Sequence, residues 1–191
     1  MHKKKIIFLD IDGVLNGYSF LRDTLAKKIF GNNPNMINWY RKHFDIFGVD
    51  RFKVFILWII IKLTGAKIVL SSSWRFEYMV NYNDKSPRQK ALHDAFKFFH
   101  IEVLGITGRD KNGLRGLEIK DYINKNILYI ESFVIIDDEK FDIESYYPDR
   151  LVLTNNKSDD IQICYLDTGL KFKHIKQVVN ILKQPIKMEE W

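Results

Sequence analysis

The chain holds a single cysteine among its 191 residues. Cys164 therefore excludes an intrachain disulfide, and so little cysteine fits a reducing, cytoplasmic setting. It lies in an apolar run, Ile163-Cys164-Tyr165-Leu166, where a buried inert thiol is expected rather than a nucleophile. The opening residues, Met1-His2-Lys3-Lys4-Lys5, carry charge without the apolar length of a secretion signal. No hydrophobic run is long enough to span a bilayer, which needs about 20 residues. The most apolar stretch, Val54 to Ile61, is short and bracketed by Lys53 and Lys62. It reads as a core helix, with a membrane-surface helix as the lesser alternative. An arginine-rich tract, an internal repeat and a low-complexity linker are also missing, so one domain over 1–191 is expected.

What is present is enough for a sizeable core: 46% of the residues are hydrophobic. The net charge is +6 and the sequence pI about 9.2, which favours anionic partners such as phosphates or nucleic acid. Lysines spread over a solvated surface explain the same balance equally well.

One stretch organises the rest: Lys4-Lys5-Ile6-Ile7-Phe8-Leu9-Asp10-Ile11-Asp12-Gly13-Val14-Leu15-Asn16. Its apolar run lacks polar alternation, the pattern of a central parallel strand buried on both faces. Asp10 and Asp12 stand at the strand's C-terminal end. Carboxylates so close repel each other unless a cation or hydrogen bonds compensate. Gly13 then permits the chain to leave the sheet. In open α/β sheets, ligands bind in the crevice beyond the carboxyl ends of the strands.

Further strands are expected at Lys67–Leu70, Ile101–Ile106, Phe133–Ile136 and Leu151–Thr154, making five in all. Helices are expected over Asp50–Thr64, Pro87–Phe99, Gly113–Asn126 and Lys173–Lys183. A polar and aromatic insertion, 18–48, separates the first strand from the next helix, with a second helix of its own around Met36–Phe47. Strands alternating with helices predict a parallel sheet with right-handed crossovers. Three strands then end in polar or acidic residues at one edge: Asp10/Asp12, Ser71/Ser72 and Asp137/Asp138. Clustered carboxylates with few histidines suit Mg²⁺, which prefers oxygen ligands.

The stretch around Asp10 resembles the first motif of the haloacid dehalogenase superfamily, Asp-x-Asp-Gly after a hydrophobic strand. The resemblance runs from Ile6 to about Leu182 and includes four motifs in order. It implies a three-layer Rossmann-like α/β fold, with helices on both faces of the sheet and a small helical cap in the insertion. It implies Asp10 as nucleophile and Asp12 as general acid/base. Asp10, Asp12 (through its backbone carbonyl), Asp137 and Asp138 would hold the Mg²⁺. Ser72, with Ser71 as the alternative, would bind phosphate together with Arg115, with Lys120 as the alternative. Leu70-Ser71-Ser72-Ser73-Trp74-Arg75, Arg115-Gly116-Leu117-Glu118-Ile119 and Gly169-Leu170 resemble one branch, the domain found in "Swiss army knife" RNA-repair proteins.

The resemblance implies a Mg²⁺-dependent phosphomonoesterase acting through an aspartyl-phosphate. Asp12 would need a raised pKa to act as the acid. The expected partner is a phosphorylated substrate, a nucleotide or a polynucleotide end. Trp74 would stack a base and Arg75 would bind phosphate; a core tryptophan and a structural ion pair are the competing reading. Other readings are a small-metabolite phosphatase or phosphotransferase with the same Asp10, and a binding module without turnover.

Overall fold

A computed structural model describes residues 3–16, 31, 33–36, 45–46, 49–140, 142–155 and 169–186. Five strands form one sheet: β1 (Lys4–Leu9), β4 (Lys67–Leu70), β5 (Val103–Ile106), β6 (Ile130–Asp137) and β7 (Leu151–Leu153). Their order is β5-β4-β1-β6-β7 and every pairing is parallel. β1 is thus flanked on both edges. Its partners across the sheet place Leu9 beside Leu70 and Ile136.

Alternation along β1 divides the core. Ile7 and Leu9 face one side, with Val54, Leu57 and Ile60 of α1 (Arg51–Thr64), Leu92 and Phe96 of α3 (Pro87–Phe98), and Val178 and Leu182 of α6 (Phe172–Leu182). Ile6 and Phe8 face the other, with Ile119 and Ile123 of α4 (Arg115–Asn126) and Ile143 of α5 (Ile143–Tyr146). The result is an α/β fold with helices on both faces of a parallel sheet, as the sequence pattern requires. A fully buried Leu or Ile contributes roughly 1.5–3 kcal/mol, so this two-sided core dominates the energetics.

The helices begin and end for local reasons. Asp50 caps α1 by accepting from the Phe52 amide (2.9 Å), worth about 1 kcal/mol, and the Gly65 amide closes its end on the Ile61 carbonyl (2.8 Å). Ser86 caps α3, whose first residue is Pro87. The short α2 (Arg75–Tyr78) follows β4 directly and was not foreseen in the sequence.

Two expectations are corrected. A helix around Met36–Phe47 does not fit its end: β2 (Asp45–Ile46) pairs antiparallel with β3 (Val49–Asp50), a hairpin formed just before α1. The third strand starts at Val103 rather than Ile101. Most of the 18–48 insertion and the segment around Cys164 lie outside the described residues.

Candidate active site

The backbone carries the sheet's pairing past the strand ends. The Asp10 amide donates to the Ile136 carbonyl (3.0 Å), Ser71 to Leu9 (3.0 Å) and Thr154 to Asp137 (2.9 Å). These bonds hold the tips of β1, β4, β6 and β7 in one register, so the polar residues that follow each strand meet.

Asp10, Asp137 and Asp138 do meet. Each offers a carboxylate oxygen, and the three oxygens lie within 4.8 Å of one another. Asp10 is 3% exposed and Asp137 fully buried, so these charges are poorly solvated. Burial pushes the Asp10 carboxyl up to about 7; Arg115 opposes this, and Asp137 adds to it. Burial raises Asp137 as well, against the pull of Arg115. Burial and then Asp137 push Asp138 up to about 6. A cluster this strained towards protonation is an oxygen-only donor set of the kind that suits a hard divalent cation.

Arg115 is the counter-charge. Its Nη1 lies 3.1 Å from Asp10 and 2.5 Å from Asp137. Burial works against its charge, but Asp10 and Asp137 more than offset that and hold it firmly protonated. Arg115 opens α4, and the placement of that helix start is itself enforced. The Gly116 amide donates to Asp142 (2.6 Å), and a Cβ at Gly116 would run into Tyr146 and Asp142. Of the two cations offered by the sequence, Arg115 reaches the carboxylates, whereas Lys120 is exposed and stands over the Tyr146 ring.

The two serines differ in their contacts. Ser72 hydrogen-bonds the Asp10 carboxylate and also accepts from the Trp74 amide (3.3 Å). Ser71 is buried, and its hydroxyl has no partner among the described residues.

Asp12 stands apart from the acidic cluster. Its Oδ2 accepts from the Trp74 indole (2.9 Å) and its Oδ1 from the Asn16 amide (2.6 Å). Its side chain is therefore not one of the clustered oxygens. Gly13 carries a left-handed φ of 63°, and a Cβ there would overlap the Asp138 carboxylate. Only glycine lets the loop after β1 pass so close to that side chain.

Trp74 and Arg75 are not where a substrate-facing role would need them. Trp74 is 2% exposed, with its N–H committed to Asp12. Arg75 is buried in an ion pair with Glu118 (2.8 Å) and also donates to the carbonyls of Ser71, Ser72, Thr107 and Gly108. Its fork of donors is filled by the protein itself. It ties the end of β4 to the loop after β5 and to α4.

Sequence reasoning overlooked three contributors. Asn16 lies four residues after Asp12 and receives the Gly13 amide (2.8 Å), a local side-chain turn readable from spacing. Thr154 follows β7 as the serines follow β4, and the sequence pattern marks it only as strand. Its hydroxyl donates to the Gly13 carbonyl (2.9 Å). Asp142 has no sequence signal, because it caps a helix that precedes it in the chain.

A parallel sheet with a carboxylate at the tip of its central strand, two more from a neighbouring strand and an arginine between them defines a haloacid dehalogenase-type domain. The family model "HAD domain in Swiss Army Knife RNA repair proteins" matches residues 6–158. The chain belongs to that family. A crystal structure of a predicted phosphatase from Clostridium acetobutylicum is also similar, at 16% identity and a TM-score of 0.33, covering 79% of this chain and 82% of that one. No curated protein matches the chain. Among the described residues, no helix is long and apolar enough to cross a membrane.

Proposed function

We propose that the protein is a Mg²⁺-dependent phosphomonoesterase that works through an aspartyl-phosphate on Asp10. The observation that carries this reading is the meeting of Asp10, Asp137 and Asp138 with Arg115 bridging Asp10 and Asp137.

The residues divide the chemistry. Asp10 attacks phosphorus; an Oδ–P bond forms as the bond to the leaving oxygen breaks. Asp12 gives its proton to that leaving oxygen, then takes one from the water that hydrolyses the intermediate. The hydroxyl of Ser72 and the guanidinium of Arg115 receive the phosphoryl oxygens. Asp137 and Asp138 hold the divalent ion with Asp10, and the backbone carbonyl of Asp12 is offered as a further ligand. When bound, Mg²⁺ supplies positive charge against the crowded anions of phosphate and carboxylates.

The substrate class we propose is a nucleotide or a nucleic-acid phosphate end. It is supported by the +6 net charge and by the RNA-repair setting named for the family. The test is phosphate release with and without Mg²⁺ from a 3′-phosphorylated oligonucleotide, free mononucleotides and sugar phosphates. Oligonucleotide preference, abolished by Asp10→Asn, supports the reading. Equal or better turnover of sugar phosphates overturns the substrate class, and an active Asp10→Asn protein overturns the covalent mechanism.

A further inference from the structure

Trp74 is a buried aromatic that points its one polar atom at the side chain of Asp12. Its Nε1 lies 2.9 Å from Asp12 Oδ2, and 62 residues separate the two in the chain. Trp74 is held through its backbone as well as its ring. Its backbone amide donates to Ser72 Oγ (3.3 Å), and its carbonyl accepts from the buried Gln89 side chain (3.1 Å). The Arg88 guanidinium lies over the ring, 4.6 Å from its centroid. Phosphate-binding serine, indole and acid are thus joined in one short chain of contacts.

The second oxygen of Asp12 is held as firmly. Asn16 Nδ2 donates to Oδ1 (2.6 Å). The Asn16 amide cannot turn over without harm, because its Oδ1 receives the Gly13 N–H (2.8 Å). With both oxygens tied, rotation of the Asp12 carboxyl is suppressed. The two N–H groups also lie where negative charge remains once Asp12 has released its proton.

We infer that Trp74 is a positioning residue that, with Asn16, aims the Asp12 carboxyl at the leaving oxygen. This rests on the acid role given to Asp12 above. Neither side chain touches substrate in this account; each acts through Asp12. The positioning itself follows from the contacts to the two Asp12 oxygens. A core tryptophan needs no particular orientation to contribute its apolar area, yet a buried indole N–H needs an acceptor, and here the acceptor is the acid.

The test uses leaving groups of different quality. A 4-nitrophenolate departs without a proton, whereas a primary alkoxide needs one, so only the alkyl ester reports on the acid. Trp74→Phe is expected to lower kcat/KM for an alkyl phosphomonoester by about tenfold or more, and for 4-nitrophenyl phosphate by less than about threefold. A purely structural role would lower both alike. Replacing Trp74 by the isosteric benzothienylalanine removes the N–H and keeps the shape, and it is read the same way should Trp74→Phe fold poorly. Equal losses on both esters, or none on the alkyl ester, overturn the inference. Asp12→Asn is measured alongside. If it shows the leaving-group dependence and the Trp74 variants do not, the positioning role alone falls. If Asp12→Asn lacks it, the acid role falls and takes the positioning role with it.

Discussion

The hydroxyl of Thr154 donates to the carbonyl of Gly13 across 141 residues of chain (2.9 Å). Thr154 is fully buried, and its amide also donates to the Asp137 carbonyl. One side chain at the tip of β7 therefore fastens the loop that carries Asp12 to the strand that carries Asp137. Thr154→Val keeps the shape and leaves the Gly13 carbonyl without this donor. It should cost about 1–3 kcal/mol in chemical denaturation. It should also weaken Mg²⁺, read as a higher metal concentration for half-maximal activity. Unchanged metal dependence would show that the fastening is purely structural.

Arg115 is expected to matter far more than Lys120. Arg115→Ala removes the cation that bridges Asp10 and Asp137, and phosphate release should fall by about a hundredfold or more. Arg115→Lys keeps charge but loses the planar fork and should recover only part of it. Lys120→Ala should leave phosphate release within about twofold of the parent, as expected for an exposed side chain. Comparable losses for the two alanine variants would contradict the assignment.

Asp10 and Asp138 have carboxyls pushed from 3.8 to about 7 and about 6. The folded protein then keeps protons that the unfolded chain has released. Their contribution to stability is full below about pH 4 and is lost as pH rises towards 7. Metal-free protein should melt at progressively lower temperature across that window, and Asp138→Asn should flatten the fall. A divalent ion competes with these protons, so Mg²⁺ should raise the melting temperature more at about pH 8 than at about pH 5. An equal rise at both would mean that the ion does not bind these carboxylates.

Gly13→Ala combines a left-handed backbone with overlap on Asp138. The backbone alone costs about 1–2 kcal/mol. Displacement of Asp138 should additionally weaken metal binding, which calorimetric titration with Mg²⁺ measures. A variant that binds Mg²⁺ like the parent would place Asp138 outside the metal site.

Arg75 and Glu118 have side chains 6% and 5% exposed. Removing either partner strands a buried charge, with an expected cost of about 3–5 kcal/mol. Glu118→Gln should therefore lower stability strongly in thermal melts. A small effect would mean that the Ser71, Ser72, Thr107 and Gly108 carbonyls suffice for Arg75.

Much of this was legible in the chain because it depends on local pattern. The unbroken apolar run before Asp10 marks a buried parallel strand, and the same pattern before Asp137 marks its neighbour. Asp50 and Gly65 frame α1 by chemistry that acts within a turn. What the sequence leaves open depends on partners distant in the chain. Trp74 and Arg75 follow Ser72 closely, so proximity argues for substrate contact as well as for a core tryptophan and a structural ion pair. Their true neighbours are Asp12 and Glu118, 62 and 43 residues away. The hairpin at Asp45–Asp50 was hidden because two-residue strands carry no periodicity. Ser71 against Ser72 and Arg115 against Lys120 needed the direction of a side chain, which spacing leaves open.

The place of β1 between β4 and β6 also governs how the molecule is made. β1 gains its first neighbour in the sheet only after Lys67 has emerged, and its second only after Ile130. Until then its apolar edges are open to aggregation, and Asp10 has no acidic companions. A nascent chain stopped before Ile130 would own Asp10 and lack Asp137, so the acidic cluster would assemble only once β6 has docked beside β1.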